Sequence, residues 1–392
     1  MLVSMSEQTP VNFIDTPTAM ETCCRKWRQR PWLAVDTEFI REKTYYPQLC
    51  LIQLSDGVTS ACIDPLAIAD LAPLFDLLYD PAMVKVFHSA YQDLEIFFLL
   101  RGSLPVPVFD TQLAAPLLGH GEQIGYANLV HAILDVRLHK AHSRTDWSRR
   151  PLSPPQLRYA GDDVLYLGRI YPRMLADLES SGRNEWLRES HAKLVDPEQY
   201  RQTPERAWRR LRGIDRLDAR QQSAVRRLAA WREATAQAEN RPRGWILSDD
   251  ILLVLARMLP QVPEDLERVR NLPEAVRRRH GATLLQHIAA ALETPLPTGG
   301  EQVAEERKGL SEEQEAVVDG LMAVLRLCAA DHGVHPSALA SRRDLERLVL
   351  GERDLELLQG WRRPIVGDRL REFAAGRRAL VVRDGILAME PA

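Results

Sequence analysis

The sequence predicts a mixed α/β domain over roughly its first half, followed by two small all-helical modules, and three observations lead there. Short β-rich runs alternate with helical patterns up to about residue 200; the strand signal then stops; and "ETPLPTGGEQVAEERKG" (293–309), rich in Pro, Gly and charge, divides the helical remainder as a linker. The expected divisions are 11–200, 204–292 and 310–382. With 392 residues, 45% apolar and 27% charged, the chain has an ordinary globular composition and room for a sizeable core. A net charge of −3 argues against indiscriminate coating of nucleic acid or membrane, so a polyanion site must be a local patch. Cys23, Cys24, Cys50, Cys62 and Cys328 form no C-x-x-C pair, which disfavours a zinc or disulfide framework and suits a reducing compartment. "MLVSMSEQTP" has no signal-peptide pattern and no run of about 18 apolar residues occurs, so a cytoplasmic location is expected, with no membrane contact.

"WLAVDTEFI" (32–40), "LCLIQLSDG" (49–57) and "TSACIDP" (59–65) read as strands, with Ser55-Asp56-Gly57 as a hairpin turn between the second and third. "LAPLFDLLYD" (71–80) reads as a helix and "VKVFHSA" (84–90) as a strand. "YQDLEIFFLLRG" (91–102) follows as a helix that Ser89 can cap and Gly102 ends, then "VPVFDT" (106–111) as a strand. An antiparallel start followed by βαβ units implies a mixed sheet covered by helices. From 112 to 200 the pattern is helical, its longest candidate running from Pro155 to Leu175 with prolines at the tolerated start. Beyond it, "LDARQQSAVRRLAAWRE" from Leu217 and "LSEEQEAVVDGLMAVLR" from Leu310 share Leu, Gln and the following apolar positions. Each is followed, 31 residues after its first Leu, by a helix-capping Ser (Ser248, Ser341) with Asp250 or Asp344 in the first turn. They read as a weak tandem repeat offset by 93 residues, too few copies for a solenoid.

Side chains two apart on a strand share a face, so Asp36 and Glu38 stand side by side in an apolar run. That arrangement is costly in a core and natural for a divalent cation. With 54 acidic residues, however, roughly seven such pairs arise by chance, and an edge strand with a solvated face explains this one as well. In "HSAYQDLEIFF" (88–98), Asp93 falls near the first turn of a helix, where it either offsets the dipole or faces the same cleft. In "LRYAGDDVLYLGR" (157–169), Tyr159 and Asp163 project from one helix face, while Asp162, the competing ligand, points about 100° away. A half-buried Tyr beside a surface Asp gives the same spacing. Oxygen ligands without a His or thiolate cluster favour Mg²⁺ or Mn²⁺ over zinc. Crowded carboxylates repel and hold protons, a divalent cation reverses this, and two such ions suit phosphodiester hydrolysis.

With D-x-E on the first strand, Asp 57 residues on and Y-x-x-x-D 66 further, the sequence resembles the DEDD-type 3′→5′ exonucleases of the tyrosine subclass, and among them the ribonuclease D family. The resemblance rests on "VDTEFIREKTYYPQLCLIQLSDG" (35–57), "HSAYQDLE" (88–95), "SRTDWSRRPLS" (143–153) and "YAGDDV" (159–164). The helical blocks resemble the HRDC modules that follow the nuclease in that family, the second only loosely. The resemblance implies a ribonuclease-H-like fold for the first domain. It makes Asp36, Glu38, Asp93 and Asp163 the ligands of two divalent ions, Mg²⁺ or Mn²⁺, and Tyr159 the residue that orients the attacking water. A phenol of pKa about 10 stays protonated at neutral pH, so Tyr159 is not expected to be the principal base. The implied activity is that of a monomeric exoribonuclease releasing nucleoside 5′-monophosphates from single-stranded 3′ ends, with tRNA precursors as the substrate class.

Between 201 and 250, twelve Arg face seven acidic residues, with Trp208, Trp231 and Trp245 interleaved. Phosphate contact and base stacking use such residues, although Trp208 and Trp231 at helical spacing fit a core better. In "LHKAHSRTDWSRRPL" (138–152), Arg144 and Trp147 are the candidates to touch the terminal nucleotides; Lys140, Arg149 and Arg150 fit a solvated surface equally well. His88, His139 and His142 read as packing or surface histidines. Two rival readings stand: a DNA exonuclease of the same superfamily, because carboxylates do not read the sugar, and a non-catalytic RNA-binding scaffold.

Overall fold

The computed structural model of the chain describes residues 11–138, 145–293 and 310–392. These form two compact units: one from the described residues of Met1–Phe39, Leu49–Pro197 and Gly309–Ala392, the other from those of Ile40–Gln48 and Glu198–Lys308. Among them no helix is long and apolar enough to cross a membrane.

The first unit opens with β1 (Asn12–Ile14) and α1 (Pro17–Trp27), a pair the sequence reading lacks. Then come β2 (Trp32–Ile40), β3 (Gln48–Ser55), β4 (Ser60–Ile63), α2 (Ala72–Leu78), β5 (Val84–Phe87), α3 (Tyr91–Arg101), β6 (Val108–Asp110), α4 (Thr111–Ala114), α5 (Tyr126–Leu134), α6 (Pro154–Ser180) and α7 (Asn184–Leu194). The six strands make one sheet in the order β1-β4-β3-β2-β5-β6. It is antiparallel at β3–β4 and parallel at β1–β4, β2–β5 and β5–β6, a mixed sheet of the kind a strand pair followed by βαβ units builds. The β3–β4 turn is local chemistry: the Asp56 carboxylate accepts from Val58 N at 3.1 Å and Thr59 N at 2.9 Å, and Gly57 takes φ +80°.

Two glycines on α6 set how closely that helix lies on the sheet. A Cβ at Gly168 would stand 2.7 Å from Gly57 N, and one at Gly161 only 2.3 Å from a Val11 methyl and 3.2 Å from Ser60 Oγ. Seven residues apart, they share one helix face, and that face lies against β4 and its turn. Pro172 sits inside α6, which extends beyond the expected Leu175 to Ser180. A proline there cannot donate to the carbonyl of Gly168 one turn earlier, and that carbonyl oxygen is the atom facing Gly57.

At the start of α3 the expected Ser89 cap is absent. The N-cap position is Ala90, and Ser89, at φ +62°, turns the chain from β5 into the helix. The orphan amides of Ser89 and Ala90 donate instead to the Asp110 carboxylate, at 3.1 and 2.8 Å, which also caps α4 through Gln112 N at 2.7 Å. Gly102 ends α3 in the left-handed region, as the sequence indicates.

In the second unit α8 (Ala219–Ala238), α9 (Arg243–Ile246), α10 (Asp249–Met258), α11 (Pro263–Glu267) and α12 (Glu274–Glu293) enclose a core that includes Leu228, Leu252, Leu255, Leu284 and Ile288. Trp208 and Trp231 pack against this core, while Trp245 is 52% exposed with the Arg241 guanidinium 5.8 Å from its ring centroid. Segment Ile40–Gln48 belongs to the same unit: the Tyr45 hydroxyl donates to the buried Glu233, and Asn240 Oδ1 accepts from Tyr45 N and Tyr46 N at 3.1 Å each.

The remaining module, part of the first unit, holds α13 (Glu312–Asp331), α14 (Pro336–Leu339), α15 (Arg342–Val349) and α16 (Asp368–Ala374), then β7 (Arg378–Arg383) and β8 (Ile386–Pro391). These strands form an antiparallel hairpin where the sequence reading stopped at residue 382 and expected helices alone. Its turn, Asp384-Gly385, has positive φ at both residues, which suits the twist of a two-residue hairpin. The module is fixed to α7 by Trp186 and Trp361, stacked 4.3 Å apart with planes 2° from parallel, and by Arg362 on Glu189 at 2.7 Å.

Candidate active site

β2 and α6 deliver the acidic cluster. Asp36 and Glu38 lie on one face of β2, and α6 places Asp163 against them, so that one ligand oxygen of each lies within 4.8 Å of the others. Asp162 is not in this group; the helix turns it aside, and the hydroxyl of the half-buried Tyr126 donates to its backbone carbonyl at 3.1 Å. Asp93, buried in the first turn of α3, sits beside Asp36 but outside the three-residue group. It is held by Thr37 Oγ1, which donates to Asp93 Oδ1 at 2.5 Å.

Electrostatics show how crowded these groups are. Burial, then the Asp163 charge, pushes the Asp36 carboxyl well above the carboxylate range; burial, then Asp36, does the same to Asp93. Glu38 is pushed up to about 10, by burial first and then by Asp36, Asp163 and Asp93. Asp163 is raised to about 7 by burial, against a hydrogen bond from the Tyr159 hydroxyl. That hydroxyl, one turn earlier on the same helix face, is itself held protonated by burial and by the charges of Asp163, Glu38 and Asp36.

Hard oxygen donors, three within ligating reach and a fourth adjacent, fit Mg²⁺ or Mn²⁺. Four crowded carboxyls that retain protons when alone are the electrostatic condition a divalent cation relieves.

The loop before α6 departs from its sequence reading. Trp147 is only 2% exposed, its ring 6.2 Å from that of Tyr159, so it backs the tyrosine and has no open face for stacking a base. Arg150, which the sequence left as surface, is anchored: it donates to both oxygens of the buried Asp64 at 2.6 and 2.7 Å and to the carbonyls of Cys50 and Trp147 at 2.7 and 2.8 Å. Arg144, Lys140, His139 and His142 lie outside the described residues. His88 is a packing residue, its Nδ1 2.9 Å from Thr111 Oγ1. Thr37, Tyr126 and Asp64 went unnoticed in sequence. Only Thr37, set between the two carboxylates, had a local signal.

Comparison with known proteins adds an independent line. Residues 11–179 match the model of the 3′-5′ exonuclease family, and 221–288 that of the HRDC domain. The chain is 41% identical to a ribonuclease D of Sphingobium indicum, over 96% of this chain and 97% of that one. It is 41% identical to a ribonuclease D of Gluconacetobacter diazotrophicus, over 94% of each. The crystal structure of Escherichia coli RNase D, described as an exoribonuclease involved in structured RNA processing, superposes with a TM-score of 0.80 at 31% identity, covering 94% of this chain and 99% of that one. A ribonuclease-H-like α/β domain bearing an acidic cluster, an HRDC region after it and this extent of identity over nearly the whole length have one reading: the chain belongs to the ribonuclease D family and is a 3′-5′ exoribonuclease.

Proposed function

We propose that the chain removes nucleotides from single-stranded 3′ tails of structured RNA, with tRNA precursors as the substrate class, releasing nucleoside 5′-monophosphates in a reaction that needs Mg²⁺ or Mn²⁺. The observation that supports it is the group of Asp36, Glu38 and Asp163, joined through Asp163 to the Tyr159 hydroxyl. Asp36, Glu38 and Asp163 would hold the cations, with Asp93 completing the set beside Asp36. Bound divalent ions neutralise the phosphodiester, acidify water and stabilise the departing oxygen. Tyr159 keeps its proton and donates to Asp163, so its part is to orient groups at the attacked phosphate, while Trp147 behind it limits its movement. The buried thiols of Cys23, Cys24, Cys62 and Cys328 support a reducing, cytoplasmic setting, and the chain is proposed to act as a monomer.

The test is mononucleotide release from a 3′-extended tRNA transcript with and without Mg²⁺, beside matched single-stranded DNA. Release should require the cation and fall by about 10³-fold or more in Asp163→Asn, an effect of about 4 kcal/mol on the barrier. Asp162→Asn should retain activity within a few-fold. Faster cleavage of DNA would favour the DNA exonuclease instead.

Linkage gives a second check. Asp163 keeps its proton up to about 7 when folded and loses it near the ordinary aspartate value of 3.8 when unfolded. The folded state therefore binds more protons over that window, and the metal-free protein should lose stability as pH rises through it. Saturating Mn²⁺ should remove or reverse the slope, read as thermal midpoints from pH 5 to 8.

A further inference from the structure

Gln53 is fully buried on β3, yet neither its amide nitrogen nor its amide oxygen has a hydrogen-bond partner among the described residues. Buried side-chain amides are rarely left so, because each end forgoes the hydrogen bonds it would make in water. Its place in the sheet says what it faces. Gln53 pairs directly with Cys62 in the antiparallel β3–β4 ladder, so the two side chains share one face of the sheet. Ser60, two residues from Cys62, is on that face too, and it lies under α6, 3.2 Å from where a Gly161 Cβ would stand. The covering helix is the one that brings Tyr159 and Asp163 to the acidic cluster.

β3 runs between β4 and β2, so the strand of Gln53 separates Cys62 from the strand that carries the carboxylates. The Cys62 thiol is pushed up by burial and then by Glu38, ahead of Asp163 and Asp36, which makes Glu38 the foremost acidic neighbour of this column of side chains. Thr37 and Tyr159 already donate to Asp93 and Asp163, respectively.

We propose that Gln53 is a positioning residue for the cation site: its amide, unpartnered among the described residues, donates an N–H to the Glu38 carboxylate when that side chain takes up its ligating orientation, and holds it there. A neutral donor suits the place, since it steadies one carboxylate without adding another negative charge to four. The inference rests on the reading of Asp36, Glu38 and Asp163 as cation ligands.

The experiment is Mn²⁺ calorimetry on the full chain, wild type beside Gln53→Leu and Gln53→Met, with metal-free melting curves and kcat and KM on a 3′-tailed RNA. Both substitutions keep roughly the volume of Gln and are apolar, so the variants suit a buried site. The expected result is Mn²⁺ affinity lower by about 10–100-fold, kcat lower with KM unchanged, and a metal-free midpoint equal to or above that of wild type, because an unpaired amide has been removed. Wild-type Mn²⁺ affinity in either folded variant would overturn the proposal, and a lowered midpoint with unchanged affinity would make Gln53 a structural residue. Absence of Mn²⁺ binding by the wild type, or undiminished binding by Asp36→Asn, would overturn the ligand assignment itself and this proposal with it.

Discussion

The two helical modules share a plan and differ in what they hold. Asp218 and Ser311, 93 residues apart, each cap a 20-residue helix through a capping box closed by Gln221 or Gln314. At the same offset α9 corresponds to α14, and the Ser248 cap to the Ser341 cap. The modules part at their ends, where α12 has 20 residues and α16 has 7 before the chain enters the β7–β8 hairpin. They also part at Arg232 and Glu233, whose counterparts are Leu325 and Arg326. In the first module, buried Arg232 donates to Asp249 at 2.7 Å, and buried Glu233 receives Arg243 at 2.5 Å together with the Tyr45 hydroxyl. In the second, Leu325 is simply core, and Arg342, in the place of Asp249, reaches outward to Glu315 and Asp319. The two modules thus share their caps and differ in having a buried ionic centre in one and an apolar centre in the other.

The same turn serves each module differently. Asn240 takes the left-handed conformation and accepts the backbone amides of Tyr45 and Tyr46; its counterpart Gly333 is also left-handed, and its carbonyl and that of His332 accept from Arg183. One turn holds the 40–48 segment, the other α7. Cutting the buried centre of the first module should therefore have the largest effect. Glu233→Gln leaves Arg243 without its carboxylate partner and should cost about 3 kcal/mol in urea unfolding, the usual scale for breaking a buried pair. A change within 0.5 kcal/mol would show that the ionic centre differs from the apolar one in composition alone.

Trp361→Ala should follow, at about 2 kcal/mol, because the Trp186–Trp361 stack is half-buried and has no equivalent in the first module, where position 268 is Arg. The check is differential: the exonuclease half should lose protection against proteolysis along α7, while α8–α12 keeps theirs. Loss spread evenly over both would mean that the second module is not the specific support of the nuclease.

What sequence revealed of this plan follows from the range of each interaction. Caps at Ser248 and Ser341, the Asp56 turn and the Gly102 stop are closed within a few residues and could be read locally. The cap of α3 could not, since Asp110, 21 residues from Ser89, supplies it. β1 has three residues, too few to show a period, and becomes a strand only because β4 is there to pair with it. The closing hairpin did announce itself in Asp384-Gly385 between apolar runs, but the sequence reading stopped at residue 382, short of that turn. At the site, period-two and period-four spacing put Asp36 beside Glu38 and Tyr159 beside Asp163 but left Asp162 a competitor; the family resemblance chose Asp163, and the packing of α6 groups Asp163, not Asp162, with the β2 carboxylates. Gln53 was visible as one polar residue in an apolar strand; that nothing in the described structure satisfies it was not.

The smallest effect comes from the outward half of the exchange. Arg342 meets Glu315 at 2.6 Å and Asp319 at 2.7 Å, but the arginine and its partners are 46–69% exposed, so side-chain entropy and solvent screening offset most of the attraction. Arg342→Ala should shift the urea midpoint little, and any shift should vanish in about 0.5 M salt. Asp249→Ala, at the matching position, should cost about 1–2 kcal/mol and keep most of it in salt, because it strips a partner from an arginine only 4% exposed. Equal, salt-sensitive losses would mean that Arg232 finds water when Asp249 is removed, and that the first module's centre is no drier than the surface of the second. A ratio of two or more that survives salt would locate the difference between the modules in the burial of one guanidinium.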